Sequence, residues 1–143
     1  MGQRDAHNSV EQKSALDLQE ITSDTTTVGN ILDLANVEAI ELFVVGGTIT
    51  DGAYAVLVED GNDSGLSDAA AVADAQLLGT ESDAGFAASD DDKVSRIGYI
   101  GNKRFLRVSL VSTGTTSGGF FAVLAVLSHF RRTEDIAAAT PQA

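Results

Sequence analysis

The chain has 143 residues, of which 43% are hydrophobic and 21% charged, as is typical of one folded domain. Cysteine is absent, which excludes a disulfide framework, a thiolate nucleophile and a cysteine-based metal site. The formal net charge of −12 argues against a nucleic-acid partner, because binding the phosphate backbone requires a basic surface. The longest apolar stretch, residues 120–127, is too short to span a membrane, and the polar N-terminus lacks the apolar core of a secretory signal. We therefore expect no membrane partner and no export.

Charge is segregated along the sequence. Residues 14–92 contain 17 acidic residues and no Lys or Arg, whereas residues 93–132 contain seven basic residues and no Asp or Glu. Two interpretations follow. In one, later strands pair with earlier strands in a sheet, where opposite charges face each other. In the other, the basic residues form a patch that docks on an acidic partner.

The first half of the chain predicts an arm followed by short strands. Residues 1–13 are polar and aperiodic and predict a flexible N-terminal arm. Alternation of Leu16 and Leu18 predicts an edge strand at the start of the folded part. The predicted strands of this half lie within residues 14–27, 28–34, 41–45 and 53–59.

The middle and the last third differ in character. Residues 69–78 are rich in Ala and predict at most one short helix, between loops at 60–67 and 79–92. Strands are predicted again over residues 94–100, 104–112 and 120–130. The last of these is apolar on both faces, which indicates a central strand.

Gly101 and Asn102 predict a hairpin turn between two of these strands, because both residue types tolerate positive φ. Many short strands at this spacing predict an all-β fold. We expect a single β-sandwich or jelly-roll-like domain over residues 14–132 and a C-terminal tail over residues 133–143.

One loop carries part of a metal-binding pattern. Residues 60–65 match the first half of a calcium loop, with Asp60, Asn62, Ser64 and Gly65 at the required spacing. The twelfth position is Ala71, where a bidentate Glu is needed, and no incoming helix is predicted before the loop. The same residues build a strand-connecting turn, so we predict a turn and no metal site.

No combination of residues predicts catalysis. The only histidines are His7, in the predicted arm, and His129, at the end of an apolar strand, and the nucleophile motif Gly-x-Ser-x-Gly is absent. Three adjacent carboxylates, Asp90, Asp91 and Asp92, repel one another and predict a solvated loop. We therefore expect no catalytic residues, no cofactor and no enzyme.

Several segments resemble small structural proteins of tailed bacteriophages. The strongest is residues 96–108, RIGYIGNKRFLRV, followed by TGT at 113–115 and AVLAVL at 122–127. Earlier segments, VEDGND at 58–63 and AQLLG at 75–79, extend the resemblance over residues 31–129. Members of this group include capsid cement or decoration proteins with a jelly-roll-like β-sandwich.

The resemblance implies a structural virion protein that decorates the outside of the capsid head and bridges neighbouring major capsid subunits. Self-association as a homodimer or homotrimer is expected with it. The predicted docking residues are the basic ones Lys103, Arg104, Arg107, Arg131 and Arg132. The predicted location is the outer surface of the virion, after assembly in the host cytoplasm. The alternative is a receptor- or glycan-binding β-sandwich displayed on a virion.

Overall fold

Eleven strands, one short α-helix and one 3₁₀-helix make up the regular structure of the chain, which a computed structural model describes over residues 6–130, with side chains through residue 128. The strands are β1 (Val10–Ile21), β2 (Thr26–Val28), β3 (Leu32–Asp33), β4 (Val37–Ile49), β5 (Ala53–Gly61), β6 (Ala70–Ala71), β7 (Leu77–Leu78), β8 (Phe86–Ala87), β9 (Val94–Tyr99), β10 (Phe105–Thr113) and β11 (Gly119–Phe130). The 3₁₀-helix spans Asp74–Gln76, and α1 spans Glu81–Ala84. The predicted tail over residues 133–143 lies outside the described residues.

The strands form two antiparallel sheets that pack against each other. The first sheet has the order β1-β11-β4-β9-β7. The second has the order β2-β10-β5-β6, with β3 beside β10 and β8 beside β5. The predicted all-β sandwich is therefore confirmed. β11 pairs with β1 on one side and β4 on the other, so its predicted central position is also confirmed.

The core lies between the two sheets because successive side chains of each long strand point to opposite faces. Leu106, Val108 and Leu110 of β10 are fully buried, and the intervening Arg107 is half-buried on the other face. Aromatic rings fill the centre. The Phe121 ring centroid lies 4.3 Å from that of Tyr54 and 5.5 Å from that of Phe86.

The first strand begins earlier than predicted. β1 starts at Val10, inside the segment predicted as an arm over residues 1–13. It pairs with β11 from Val10 opposite Ser128 to Ile21 opposite Gly119, with register shifts on either side of Leu16. These bulges interrupt the two-residue alternation, which explains why the sequence pattern located the strand poorly.

The Ala-rich segment at 69–78 forms only the 3₁₀-helix Asp74–Gln76, between the two-residue strands β6 and β7. Pairing competes with helix formation there, because Leu77 of β7 is buried and lies opposite Tyr99. The α-helix lies instead in the predicted acidic loop. Thr80 Oγ1 caps it by accepting a hydrogen bond from the Asp83 N–H at 3.0 Å.

The hairpin predicted at Gly101 and Asn102 is wrong. β9 pairs in the first sheet and β10 in the second, so the chain crosses between sheets at this point. Neither residue has positive φ. Gly101 is required for space, because a Cβ there would collide with the Tyr99 ring.

Candidate protein-binding face

Exposed apolar side chains concentrate on the outer face of the first sheet. Nine large hydrophobic side chains are exposed in the described part of the chain, and six of them lie on this face. We call these six residues the apolar face: Leu18, Val45, Leu78, Val94, Phe120 and Leu124. Their exposed fractions run from 38% for Val45 to 73% for Leu18. Contiguous apolar surface of this kind marks interaction sites in soluble proteins.

Strand registers place these residues together. Val94 of β9 lies opposite Val45 of β4, which lies opposite Ala122 of β11. Leu124 lies opposite Phe43 on the same pair of strands. At the edge of the sheet, Leu18 lines a shallow depression with Ala122 and Leu124. The apolar face therefore extends from β1 to β9.

The second sheet has a different outer face. Its centre carries the pair Arg107 and Glu59, which lie directly opposite each other on β10 and β5. On β2 of the same sheet, Val28 lies opposite Ser109, and its side chain is 56% exposed. The apolar surface is thus a property of one sheet and not of the whole sandwich.

β11 explains how the apolar face arises. Phe121, Val123, Ala125 and Leu127 face the core and are at most 1% exposed. The intervening residues from Phe120 to Val126 face outward and are also apolar. Because both of its faces are apolar, the sequence predicted a central strand. Within residues 6–130 nothing covers the outward side of Phe120 and Leu124, which are 44% and 39% exposed.

Two charged side chains interrupt the apolar face near its centre. Arg96 of β9 lies opposite Phe43 of β4, and Glu41 lies opposite Gly98 on the same two strands. A Cβ on Gly98 would lie 3.1 Å from the Leu78 Cβ and 3.2 Å from the Glu41 Oε2. Leu78 and Glu41 therefore fill the space above this glycine. Among the described residues, neither Arg96 nor Glu41 forms an ion pair.

Two of the predicted docking residues pair within the chain. Arg104 donates two hydrogen bonds of 2.9 Å to the Asp33 carboxylate, and these bonds lower the pKa of Asp33. Arg107 Nη2 lies 3.0 Å from Glu59 Oε1. Pairing of later basic strands with earlier acidic strands is thus correct for both arginines.

Of the remaining docking candidates, the structure describes only Lys103. Lys103 is exposed in the segment between β9 and β10, and it forms no ion pair with another described residue. Arg131 and Arg132 lie outside the described residues. Lys103 is therefore the candidate that the described structure leaves available to a partner.

Breaking the Arg107–Glu59 pair has a measurable cost. Both side chains are 20% exposed, so removing one leaves the other charge largely desolvated. We expect Arg107→Met to lower the free energy of unfolding by about 1–2 kcal/mol. Urea denaturation measures it. Arg107→Met combined with Glu59→Gln should recover part of the loss, and a purely additive double variant would contradict the pairing.

In the loop at 60–68, two carboxylates accept hydrogen bonds from the loop's own backbone N–H groups. The Asp68 carboxylate accepts hydrogen bonds from the Asn62 and Asp63 N–H groups at 2.9 and 3.2 Å. The Asp63 carboxylate accepts from the Gly65 and Ser67 N–H groups at 3.0 and 3.2 Å. These bonds lower the pKa of both carboxyls. The contacts are those of a strand-connecting turn.

The first residue of that loop faces inward. Asp60 is only 7% exposed and accepts a 2.7 Å hydrogen bond from the Tyr99 hydroxyl. The same hydroxyl accepts a hydrogen bond from the Lys103 N–H at 3.1 Å. Across residues 6–130, no three His, Cys, Asp or Glu side chains are grouped as metal ligands. Asp60 therefore ties the loop to the crossing between the sheets.

Asp51 joins two loops at one end of the sandwich. Its carboxylate accepts hydrogen bonds from the hydroxyl of Thr116 and from the N–H groups of Thr116, Ser117 and Gly118, at 3.1, 3.1 and 2.9 Å for the three N–H groups. The Thr116 hydroxyl is the largest cause that lowers the pKa of Asp51, and the backbone donors add to it. Locally, only the Asp-Gly turn signal at residues 51–52 marks this position in the sequence.

This arrangement predicts acid sensitivity. The pKa of Asp51 is lower in the folded chain than in the unfolded chain, where it is about 3.9. The ionised Asp51 carboxylate therefore stabilises the fold above about pH 3.9, and this stabilisation is lost as the pH falls below that value. We expect the free energy of unfolding of Asp51→Asn to fall less steeply than that of the wild type between about pH 4 and pH 2. Asp74→Asn is the control, since the Asp74 side chain is exposed. Identical slopes for the wild type and Asp51→Asn would contradict the arrangement.

Comparisons with known proteins add no assignment. No model of a known protein family matches the chain, and a search of curated proteins finds none that is similar. Among residues 6–130, no helix has the length and apolar character needed to cross a membrane. Among the described residues, the apolar face is the feature that indicates a binding role.

Proposed function

We propose that the chain is a structural virion protein that decorates the capsid of a tailed bacteriophage and bridges neighbouring major capsid subunits. The observation that carries a binding role is the apolar face, because six exposed large hydrophobic side chains on one sheet face favour association with protein. The capsid as partner is supported by the resemblance of residues 96–108 to tailed-phage structural proteins. The proposed role is structural, without catalysis.

The physical advantage of such a protein comes from spanning a boundary. A capsid shell resists the pressure of packaged DNA, and a clip that contacts two subunits gains effective affinity by multivalency even when each contact is modest. The exposed Lys103 supplies a basic group for an acidic capsid surface. Under this proposal the protein is made in the host cytoplasm and ends on the outside of the head.

The alternative of a displayed glycan-binding sandwich has less support. Sugar recognition would need exposed aromatic rings for stacking, and Tyr54 and Tyr99 are 1% and 5% exposed. Among the described side chains, Phe120 is the one exposed aromatic residue, and it lies within an apolar surface. That setting favours a protein partner.

Co-sedimentation with phage heads tests the proposal. Heads assembled from the cognate major capsid protein are prepared in unexpanded and expanded forms, and each is pelleted with the purified chain. We expect the chain to pellet with expanded heads and to stay in the supernatant with unexpanded ones. Failure to pellet with either form would overturn the proposal. A salt titration adds a readout for Lys103, since contacts made by exposed charges weaken as salt rises.

A further inference from the structure

We infer that the apolar face packs against the same face of a second copy of this chain, so that the bridging unit is a two-fold symmetric dimer. The inference rests on the proposed role of the face as an association surface, and it names the partner. Isologous contacts of this kind are the commonest in soluble oligomers.

Net charge restricts where two copies can meet. Each chain carries a formal charge of −12, so most approaches bring acidic surfaces together. The outward residues of β11 from Phe120 to Val126 include no acidic residue. Near its centre, the outer face of this sheet carries one base, Arg96, and one acid, Glu41, and at its edge one further acid, Glu20, lies opposite Phe120. The repulsion between copies is therefore weaker at this face than over the rest of the acidic surface.

The two charged residues make the face complementary to itself. Arg96 and Glu41 lie on neighbouring strands, two residues apart in register, since Arg96 is opposite Phe43 and Glu41 is opposite Gly98. Two sheets that stack face to face are about 10 Å apart. When the two sheets belong to symmetric copies of one chain, the two-fold axis lies in the plane between them. A two-fold axis that lies between the sheets and bisects the line from Arg96 to Glu41 places Arg96 of one copy opposite Glu41 of the other copy. Two reciprocal ion pairs then form inside an apolar rim.

The position of these strands suits such packing. β4, which carries Glu41, Phe43 and Val45, is the middle strand of the five. Its apolar neighbours extend on both sides, to Leu124 of β11 and to Val94 of β9. A dimer centred there covers the apolar face of both copies and leaves both Lys103 segments free to contact separate capsid subunits.

A charge-swap experiment tests whether the partner is a second copy. In Glu41→Arg the predicted contact sets two arginines against each other, and in Arg96→Glu it sets two glutamates together, so each variant alone should dimerise at least about tenfold more weakly than the wild type. When the two variants are mixed, both contacts become attractive. We expect the mixture to form a heterodimer within about threefold of the wild-type dissociation constant. Sedimentation equilibrium measures all four samples.

Two controls keep the outcome interpretable. Lys103→Glu changes the net charge as much as Arg96→Glu does but lies off the apolar face, and it should leave dimerisation unchanged. Circular dichroism verifies that each variant is folded. The inference would be overturned if the wild-type chain stayed monomeric at high micromolar concentration. It would also be overturned if mixing the two single variants did not restore dimerisation.

The result also separates this inference from the proposed function. A dimer that binds no head would sustain the dimer and overturn the capsid role. A monomer that binds expanded heads, and loses binding on Arg96→Glu, would assign the face to the capsid and overturn the dimer.

Discussion

Phe121→Ala is expected to lower the free energy of unfolding by about 3–5 kcal/mol, because it removes a large aromatic ring from the centre of the core. Phe121 is fully buried, and its ring contacts those of Tyr54 and Phe86 from across the core. Truncation removes both the transfer free energy of the ring and its packing contacts, and it leaves a cavity between the sheets. Since small domains have a total stability of about 5–15 kcal/mol, the variant should be close to unfolding.

The adjacent residue provides a matched control. Phe120 is the same residue type on the same strand but is 44% exposed on the apolar face. We expect Phe120→Ala to change the free energy of unfolding by less than about 0.5 kcal/mol when measured by urea denaturation at low protein concentration. Equal losses for the two variants would contradict the assignment of which side of β11 faces the core.

The second large effect is expected for Tyr99→Phe, with a loss of about 2–3 kcal/mol. The Tyr99 hydroxyl donates to the Asp60 carboxylate, which is only 7% exposed, and accepts from the Lys103 N–H. Removing the hydroxyl leaves a buried charge without this donor and a backbone donor without this acceptor. Burial, followed by the hydrogen bond to Asp60, raises the pKa of Tyr99 in the folded chain. Above about pH 10 the unfolded chain releases this proton more readily than the folded chain, so wild-type stability should fall as the pH rises further.

Tyr54→Phe is the control for Tyr99→Phe, because it measures the cost of losing a tyrosine hydroxyl whose acceptor is not a carboxylate. The Tyr54 hydroxyl donates at 2.9 Å to a neutral acceptor, the Asp51 carbonyl. Its removal should cost about 1 kcal/mol, since hydrogen bonds to charged groups contribute about twice as much as neutral ones. Thermal or urea denaturation of both variants measures the difference. If the two losses are equal, the buried Asp60 carboxylate has no special role.

Much of the fold could be predicted from local patterns. The strand predicted at 104–112 corresponds to β10 at Phe105–Thr113, because alternation of apolar and polar residues is a local signal. The strand predicted at 120–130 corresponds to β11. What local patterns could not supply was the partner of each strand. The turn residues Gly101 and Asn102 therefore suggested a hairpin where the chain changes sheets.

The candidate site was less accessible to sequence reasoning. An apolar stretch on β11 predicts burial on both faces, and only the sandwich reveals that one face points away from the second sheet. The apolar face also combines residues distant in sequence, such as Leu18, Val94 and Leu124. Segregated charge was a better guide. One of its two interpretations was that later strands pair with earlier ones, and Arg104 and Arg107 do pair with Asp33 and Glu59.

Head binding by two matched valine variants tests most directly whether this protein acts through its apolar face. Val94 lies on the apolar face and is 61% exposed, whereas Val28 lies on the other sheet and is 56% exposed. We predict that Val94→Ser lowers the apparent affinity for expanded heads about tenfold, because it removes apolar area from the contact between two copies and so weakens two-point attachment to the head. Val28→Ser should leave the affinity unchanged. Equal head binding by the two variants would contradict the account.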